Sequence, residues 1–205
     1  DGLIIPPRIA PNKVAILPIS TNDDVIEKTL LPKALELADK LNTALGGRYV
    51  VVDKQFHMRP GDRFFSHLQK GVPLRLELGE KDFAAGTVRV VRRDTGDRKD
   101  IPLNDVVIKV PEILEDIQHS LFNKALSFRK EHTSFASSFD EFKIRLEEEG
   151  GFIETFFAGT PEDEKKIKEE TGATPRCIPL GDAETGNCFL TGASNARKTI
   201  FAKAY

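Results

Sequence analysis

The sequence predicts an α/β domain, a mixed five-stranded sheet with flanking helices, followed by a small α+β domain. Three observations carry this. Strand-length apolar runs at 14–19 and 49–52 flank one amphipathic helix, a connection long enough for a parallel crossover. Leu74, Leu76 and Leu78 alternate with Arg75 and Glu77, the period of a strand with one buried face. Asp94-Thr95-Gly96-Asp97 then forms a hairpin-type turn between two further β-like runs.

The elements follow in order. Residues 1–12, with Pro6-Pro7 and Pro11, form an extended, proline-stiffened connector. The run at 14–19 is strand one, ended by Pro18 and a polar Ser-Thr-Asn-Asp stretch in which Asn22 or Asp23 caps the next helix. Leu30, Ala34, Leu37, Ala38, Leu41 and Leu45 share one helical face, and Gly46-Gly47 stops that helix. Residues 49–52 lack alternation and predict a strand buried on both faces. A short helix is expected at 61–69, strands at 74–78, 87–93 and 99–103, and a long helix starting at Pro111 with Ile113, Ile117, Leu121, Ala125 and Phe128 on its apolar face. This completes a domain over 13–133. The second domain, 134–205, predicts helices at 138–149 and 161–170 and β-like segments at 152–158, 173–179, 188–191 and 199–205. Its apolar, aromatic last residues predict a final strand tied into a core, in place of a frayed polar tail.

Composition excludes several classes. The chain has 205 residues, is 40% hydrophobic and 30% charged, and carries a net charge of −2, so no global field draws it to a polyanion. The charge is uneven: residues 59–109 hold 11 Lys/Arg against 8 Asp/Glu, whereas 140–170 hold 11 Asp/Glu against 5 Lys/Arg. A polyanionic partner is therefore expected on the middle segment. No apolar run has the length of a membrane span, and two cysteines, Cys177 and Cys188, do not make a disulfide framework. The chain starts at Asp1 and its only methionine is Met58, from which a portion of a longer protein is expected.

No catalytic motif stands out. Gly46-Gly47 and Gly150-Gly151 follow helices and act as stops, so neither cradles a phosphate. The histidines His57, His67, His119 and His132 are scattered and read as surface or boundary residues. No nucleophile-elbow context surrounds any serine. The sheet strand that carries Arg75 and Glu77, close to Arg89, Arg92 and Arg93, leaves two readings open: a solvated face, or a face that reads something polar and anionic.

Several stretches resemble the prolyl-tRNA synthetases. Asp1-Gly2-Leu3-Ile4-Ile5-Pro6-Pro7-Arg8-Ile9-Ala10-Pro11 is similar to the segment after that family's last catalytic motif. Gly71-Val72-Pro73-Leu74-Arg75-Leu76-Glu77-Leu78-Gly79, Lys81-Asp82 and Arg92-Arg93-Asp94-Thr95-Gly96 resemble the core of its anticodon-binding domain. Thr171-Gly172-Ala173-Thr174-Pro175-Arg176-Cys177-Ile178-Pro179 resembles its C-terminal zinc-binding-like domain, and Ile200-Phe201-Ala202-Lys203-Ala204-Tyr205 the tail of its eukaryote-like branch. The resemblance implies a class II synthetase that uses ATP and Mg²⁺ to join proline to tRNA-Pro in the cytoplasm, as a homodimer and without a membrane. Its catalytic domain would lie outside this chain, which would hold the anticodon reader and, at Tyr205, a carboxylate that approaches the active site. A free-standing tRNA-binding or regulatory module is the alternative.

The resemblance also implies site residues. Unstacked anticodon bases are read by stacking and by edge hydrogen bonds. Phe64 falls where the family stacks a base, and Arg75 where its arginine fork meets a guanine edge. Lys81 and Asp82 match a basic–acidic pair, Lys70 a Lys-Gly, and Arg92 and Arg93 are expected on phosphates. Glu77 is either a reader or the tether of Arg75. His67-Leu68 stands where the family commonly has Trp-Glu, so one base-reading carboxylate is missing. Of the four cysteine positions implied for zinc only Cys188 matches; Ala158, Asp163 and Thr191 occupy the others, so no zinc is expected. Packing around Phe156, Phe157, Ile178 and Phe189 would keep that fold.

Overall fold

A computed structural model of the chain describes residues 2–181 and 183–203. It divides into two compact units, Asp1–Asn123 and Lys124–Tyr205.

The first unit is built on a five-stranded mixed sheet in the order β2-β1-β3-β4-β5. Strand β1 (Val14–Ile19) lies between β2 and β3 and is fully apolar on both faces. It leads into a short helical turn α1 (Asp23–Val25), capped by the Asn22 side chain, a π-helical turn (Ile26–Leu30) and helix α2 (Leu31–Leu45). Gly46 closes α2 at φ +70°, a left-handed position that a glycine adopts without strain. Strand β2 (Val50–Val52) returns parallel to β1. Helix α3 (Pro60–Gln69) crosses back to β3 (Leu74–Gly79), also parallel to β1. A one-turn helix α4 (Glu80–Ala84) reverses the chain into β4 (Thr87–Arg92), and a hairpin joins β4 to β5 (Arg98–Pro102), both pairs antiparallel. Pro18 sits where β2 has already ended, so its missing N–H costs that side of the ladder nothing.

Strand alternation divides the sheet's faces. Val14, Ile16, Leu74, Leu76, Leu78, Val88, Val90 and Ile101 point to one side and pack under α2 and the long helix α5 (Val106–Glu131). On the other side Ala15 and Leu17 of β1 pack with Val72, Ile19, Val51 and Phe64 of α3.

Two expectations change here. Strand β2 is an edge, and its three residues are half-buried, not enclosed on both faces. Helix α5 begins at Val106, so Pro111 lies inside it. The lost bond at Pro111 is offset because Val106, Val110, Leu114 and Ile117 are all buried on the sheet, which keeps the first turns helical.

The second unit carries its own sheet, order β6-β7-β10-β8, with β9 paired to β10. Its elements are β6 (Thr133–Phe135), α6 (Phe139–Glu148), β7 (Phe152–Phe157), α7 (Pro161–Thr171), β8 (Ala173–Cys177), β9 (Thr185–Gly186) and β10 (Ala196–Lys203). Strand β10 is central, paired antiparallel to β7 and β8, and Phe201 on it is fully buried. Residues 188–191 form a turn, not a strand. The core is Phe142, Ile153, Ile167, Phe189 and Phe201, with Phe157 packed against it; Ile178, expected inside, is 42% exposed. Four rings meet edge-on or tilted there: Phe142–Phe189 at 5.1 Å, Phe157–Phe201 at 5.4 Å, and Phe189 and Phe142 each 5.6 Å from Phe201.

Candidate nucleic-acid interface

The sheet face that carries Phe64 turns polar from β3 onward. Cross-strand register sets its rows. Ala15, Arg75, Val91 and Arg98 form one, and Leu17, Glu77, Arg89 and Asp100 the next. In the first, Arg75 and Arg98 stand on either side of Val91. In the second, charges alternate: Glu77 negative, Arg89 positive, Asp100 negative. Alternating sign across a sheet is favourable and keeps each donor pre-oriented.

Arg75 is the centre of this face. Its Nη2 lies 2.8 Å and its Nε 2.9 Å from one oxygen of Glu77. Its guanidinium lies over the Phe64 ring, 4.6 Å from the centroid. Both side chains of the Arg75–Glu77 pair are largely covered, at 14% and 11% exposure. The Arg75 fork is thus held by a carboxylate and a ring before any ligand arrives. Arg89 is gripped by both oxygens of Asp100, at 2.9 and 3.1 Å. That contact, with more distant Asp82 and Glu77, holds its guanidinium above its usual range.

Lys81 and Asp82 sit on α4 at the end of β3. Gly79, which precedes them, lies close to Asp82: a Cβ there would stand 2.8 Å from an Asp82 carboxylate oxygen and would push that side chain aside. The strand end and the carboxylate therefore touch, and Asp82 lies within electrostatic reach of Arg89. Lys81 and Lys70 are exposed, Lys70 at the cap of α3.

Arg92 and Arg93 are placed differently. Arg92 pairs across to Leu74, which gives it the opposite side-chain parity from Arg75 and Val91. It is engaged by Asp94, at 2.8 Å, and by Asp116 of α5. The Asp94 carboxylate above all, then Asp116, outweighs burial and raises its pKa. Arg92 ties the hairpin to α5. Arg93 donates from Nε to the Leu3 carbonyl at 3.0 Å and from Nη2 to the Gly2 carbonyl at 3.3 Å. It clamps the N-terminal segment, which also lies so close to Gly71 that a Cβ there would meet Ile5 and Leu3 below 3 Å.

Sequence reasoning missed what holds Phe64 in place. Asp53, Arg63 and His67 form a buried network. The Asp53 carboxylate accepts from Arg63 Nε at 2.8 Å, from the Gln55 N–H at 2.9 Å, and lies 2.7 Å from His67 Nε2. Arg63 also donates to the Pro18 carbonyl. Burial pushes the Asp53 carboxyl up, but these bonds outweigh it and hold the carboxyl below its usual range. Arg63 and His67 are one turn apart on α3, so one carboxylate grips the helix at two points and fixes Phe64 beside Arg63. The available signal was the i,i+4 spacing of two polar residues beside Phe64; His67, expected near the surface, is 7% exposed.

In the second unit, the four positions implied for zinc ligands are partly brought together. Cys188 is buried. Burial pushes its thiol up, but the Thr191 hydroxyl and the backbone of Ala158, Thr191 and Leu190 bond to it and bring it below its usual value. Asp163 is spent elsewhere: its carboxylate accepts from the Thr160 N–H at 2.8 Å and the Thr160 hydroxyl caps α7 in return. One thiol, one hydroxyl, one methyl and an engaged carboxylate do not fit a four-coordinate zinc site. Among the described residues no cluster of three His, Cys, Asp or Glu is placed to hold a metal ion. Tyr205 lies outside the described residues.

Two family models match the chain: "Anticodon binding domain" over residues 13–113 and "Prolyl-tRNA synthetase, C-terminal" over residues 139–205. Curated relatives match its whole length. The proline–tRNA ligase of Christiangramia forsetii is 41% identical, that of Porphyromonas gingivalis (strain W83) 39%, and that of Roseiflexus sp. (strain RS-1) 39%. The chain spans only about two-fifths of the length of these relatives: 41%, 41% and 42%.

Proposed function

The chain belongs to the prolyl-tRNA synthetase family, with an anticodon-binding domain followed by that family's C-terminal domain, and we propose that it reads the anticodon of tRNA-Pro for a proline–tRNA ligase. The observation that carries the proposal is the Arg75 fork of β3, held over Phe64 of α3 and beside Glu77. A splayed base needs an aromatic or guanidinium plane to stack on and a donor–acceptor set along its edge. Phe64 and Arg75 supply the plane and the donors. Glu77 and Asp82 supply acceptors for a guanine's imino and amino hydrogens. Lys70, Lys81 and Arg93 supply positive charge for the RNA backbone, and Arg92 supports them through the hairpin.

In this reading the parent enzyme activates proline with ATP and Mg²⁺ in a catalytic domain elsewhere in its sequence. It acts as a cytoplasmic homodimer, and the Tyr205 carboxylate reaches toward its active site. The C-terminal unit works without zinc, with Cys188 bonded to Thr191 and Asp163 engaged by Thr160, its fold held by the Phe142–Phe189–Phe201 core. Among the described residues no helix is long and apolar enough to cross a membrane. The test is binding of the chain to a tRNA-Pro anticodon stem–loop against the same loop with a scrambled anticodon. Preference for the first is expected; equal affinity would refute the proposal.

A further inference from the structure

Beside the base-reading residues lies a cleft of about 150 Å³ whose walls include Arg75, Arg92, Arg93, Arg98, His67 and Gly96. Arginine residues crowd this small space, and they differ in whether their charges are compensated. Arg75 is neutralised by Glu77, and Arg92 by Asp94 and Asp116. Arg93 is held by two main-chain carbonyls, which orient it and leave its charge uncompensated. Arg98, exposed on the edge strand β5, has no ion pair among the described residues. His67 is spent through Nε2 on Asp53, and its buried Nδ1 has no hydrogen-bond partner. The cleft thus carries an excess of positive charge, walled by the β4–β5 hairpin, where Gly96 turns at φ +78°.

We propose that Arg98 and Arg93 form a phosphate subsite that takes the phosphodiester next to the base held by Arg75 and Phe64. The register supports this: Arg98 lies in the same cross-strand row as Arg75, with only Val91 between them, within reach of the backbone of a nucleotide whose base sits on Arg75. Geometry also divides the labour. Arg93 is fixed by Gly2 and Leu3 and contributes an immobile charge. Arg98 is unengaged and closes on the ligand. A phosphate satisfies both, because its oxygens accept from two guanidinium groups at once. The subsite carries affinity and register but no base preference.

The inference rests on the anticodon reading above, and one experiment separates the two. Affinity for the matched and the scrambled stem–loop is measured across a salt series for the wild-type chain, for Arg98→Ala and for Lys99→Ala. Lys99 is the control: it loses the same charge from the same edge strand but points to the other face. Arg98→Ala is expected to lower the magnitude of the slope of log K against log salt by about 0.7, the value of one single-strand phosphate contact. The matched-to-scrambled ratio should stay unchanged, and Lys99→Ala should leave the slope as it is. An unchanged slope in Arg98→Ala, or an equal fall in Lys99→Ala, overturns the subsite while the anticodon reading stands. Wild-type chain that does not distinguish the two loops overturns both.

Discussion

Replacing Arg75 by alanine tests the proposed reading surface most directly. Two consequences are separable. On binding, a guanidinium fork on a base edge is worth about 1–3 kcal/mol, or roughly 5- to 150-fold in Kd. The upper half of that range is expected, because Glu77 and Phe64 already hold the side chain and little rotamer entropy remains to be lost on binding. On stability, the deletion strands Glu77, whose side chain is 11% exposed, without its partner. An unpaired, largely buried acceptor costs about 1–3 kcal/mol, the lower end here because Arg89 stands opposite Glu77 on β4. The Arg75→Ala/Glu77→Ala double variant should therefore recover stability without recovering binding. The assay is equilibrium titration of a labelled tRNA-Pro anticodon stem–loop, matched and scrambled, with urea unfolding of each variant in parallel. An equal loss on both loops would show that Arg75 contributes charge alone. No loss on either would refute its role.

Other expectations follow from the same geometry. Asp53→Asn should destabilise the first unit by about 3–5 kcal/mol in urea unfolding, since it leaves Arg63, 2% exposed, without its carboxylate; a loss below about 1 kcal/mol would contradict the network. Because the folded-state pKa of Asp53 is lowered, its contribution is fully present above the unfolded carboxyl value near 3.9 and is lost as pH falls through the lower folded value. Asp53→Asn should accordingly flatten the acid limb of the stability curve. Elemental analysis of purified protein should find less than stoichiometric zinc, and one zinc per chain would overturn the hydrogen-bonded account of Cys188. Removing Tyr205 from the full-length enzyme should reduce proline activation while leaving stem–loop affinity intact; unchanged activation would exclude a role for the terminal carboxylate.

Local pattern carried much of the architecture. The alternation Leu74-Arg75-Leu76-Glu77-Leu78 is a statement about faces, and the sheet puts the leucines on one face and the two charges on the other, where they cover each other. The helix stops at Gly46 and Gly172 and the Pro161 start are backbone chemistry, legible from residue type alone. Where longer-range packing competes with local preference, the sequence misleads. Pro111 reads as a helix start, yet Val106 and Val110 pull another turn onto the core ahead of it. Ile178 reads as core, yet the aromatic cluster that forms is Phe142, Phe157, Phe189 and Phe201, drawn from both helical and strand segments.

By itself, then, the sequence determined the class of fold, the strand that presents Arg75, and through resemblance the family. Those depend on periodicity and on short motifs, which are properties of neighbouring residues. Only the tertiary structure decided which charges remain available. Arg92 and Arg93 look alike in sequence, but register and parity give one two carboxylates and the other two carbonyls. Glu77 pairs with Arg75, and His67 is a buried anchor of α3. The reason is physical: a charge's function depends on what neutralises it, and its partners come from strands and helices tens of residues away.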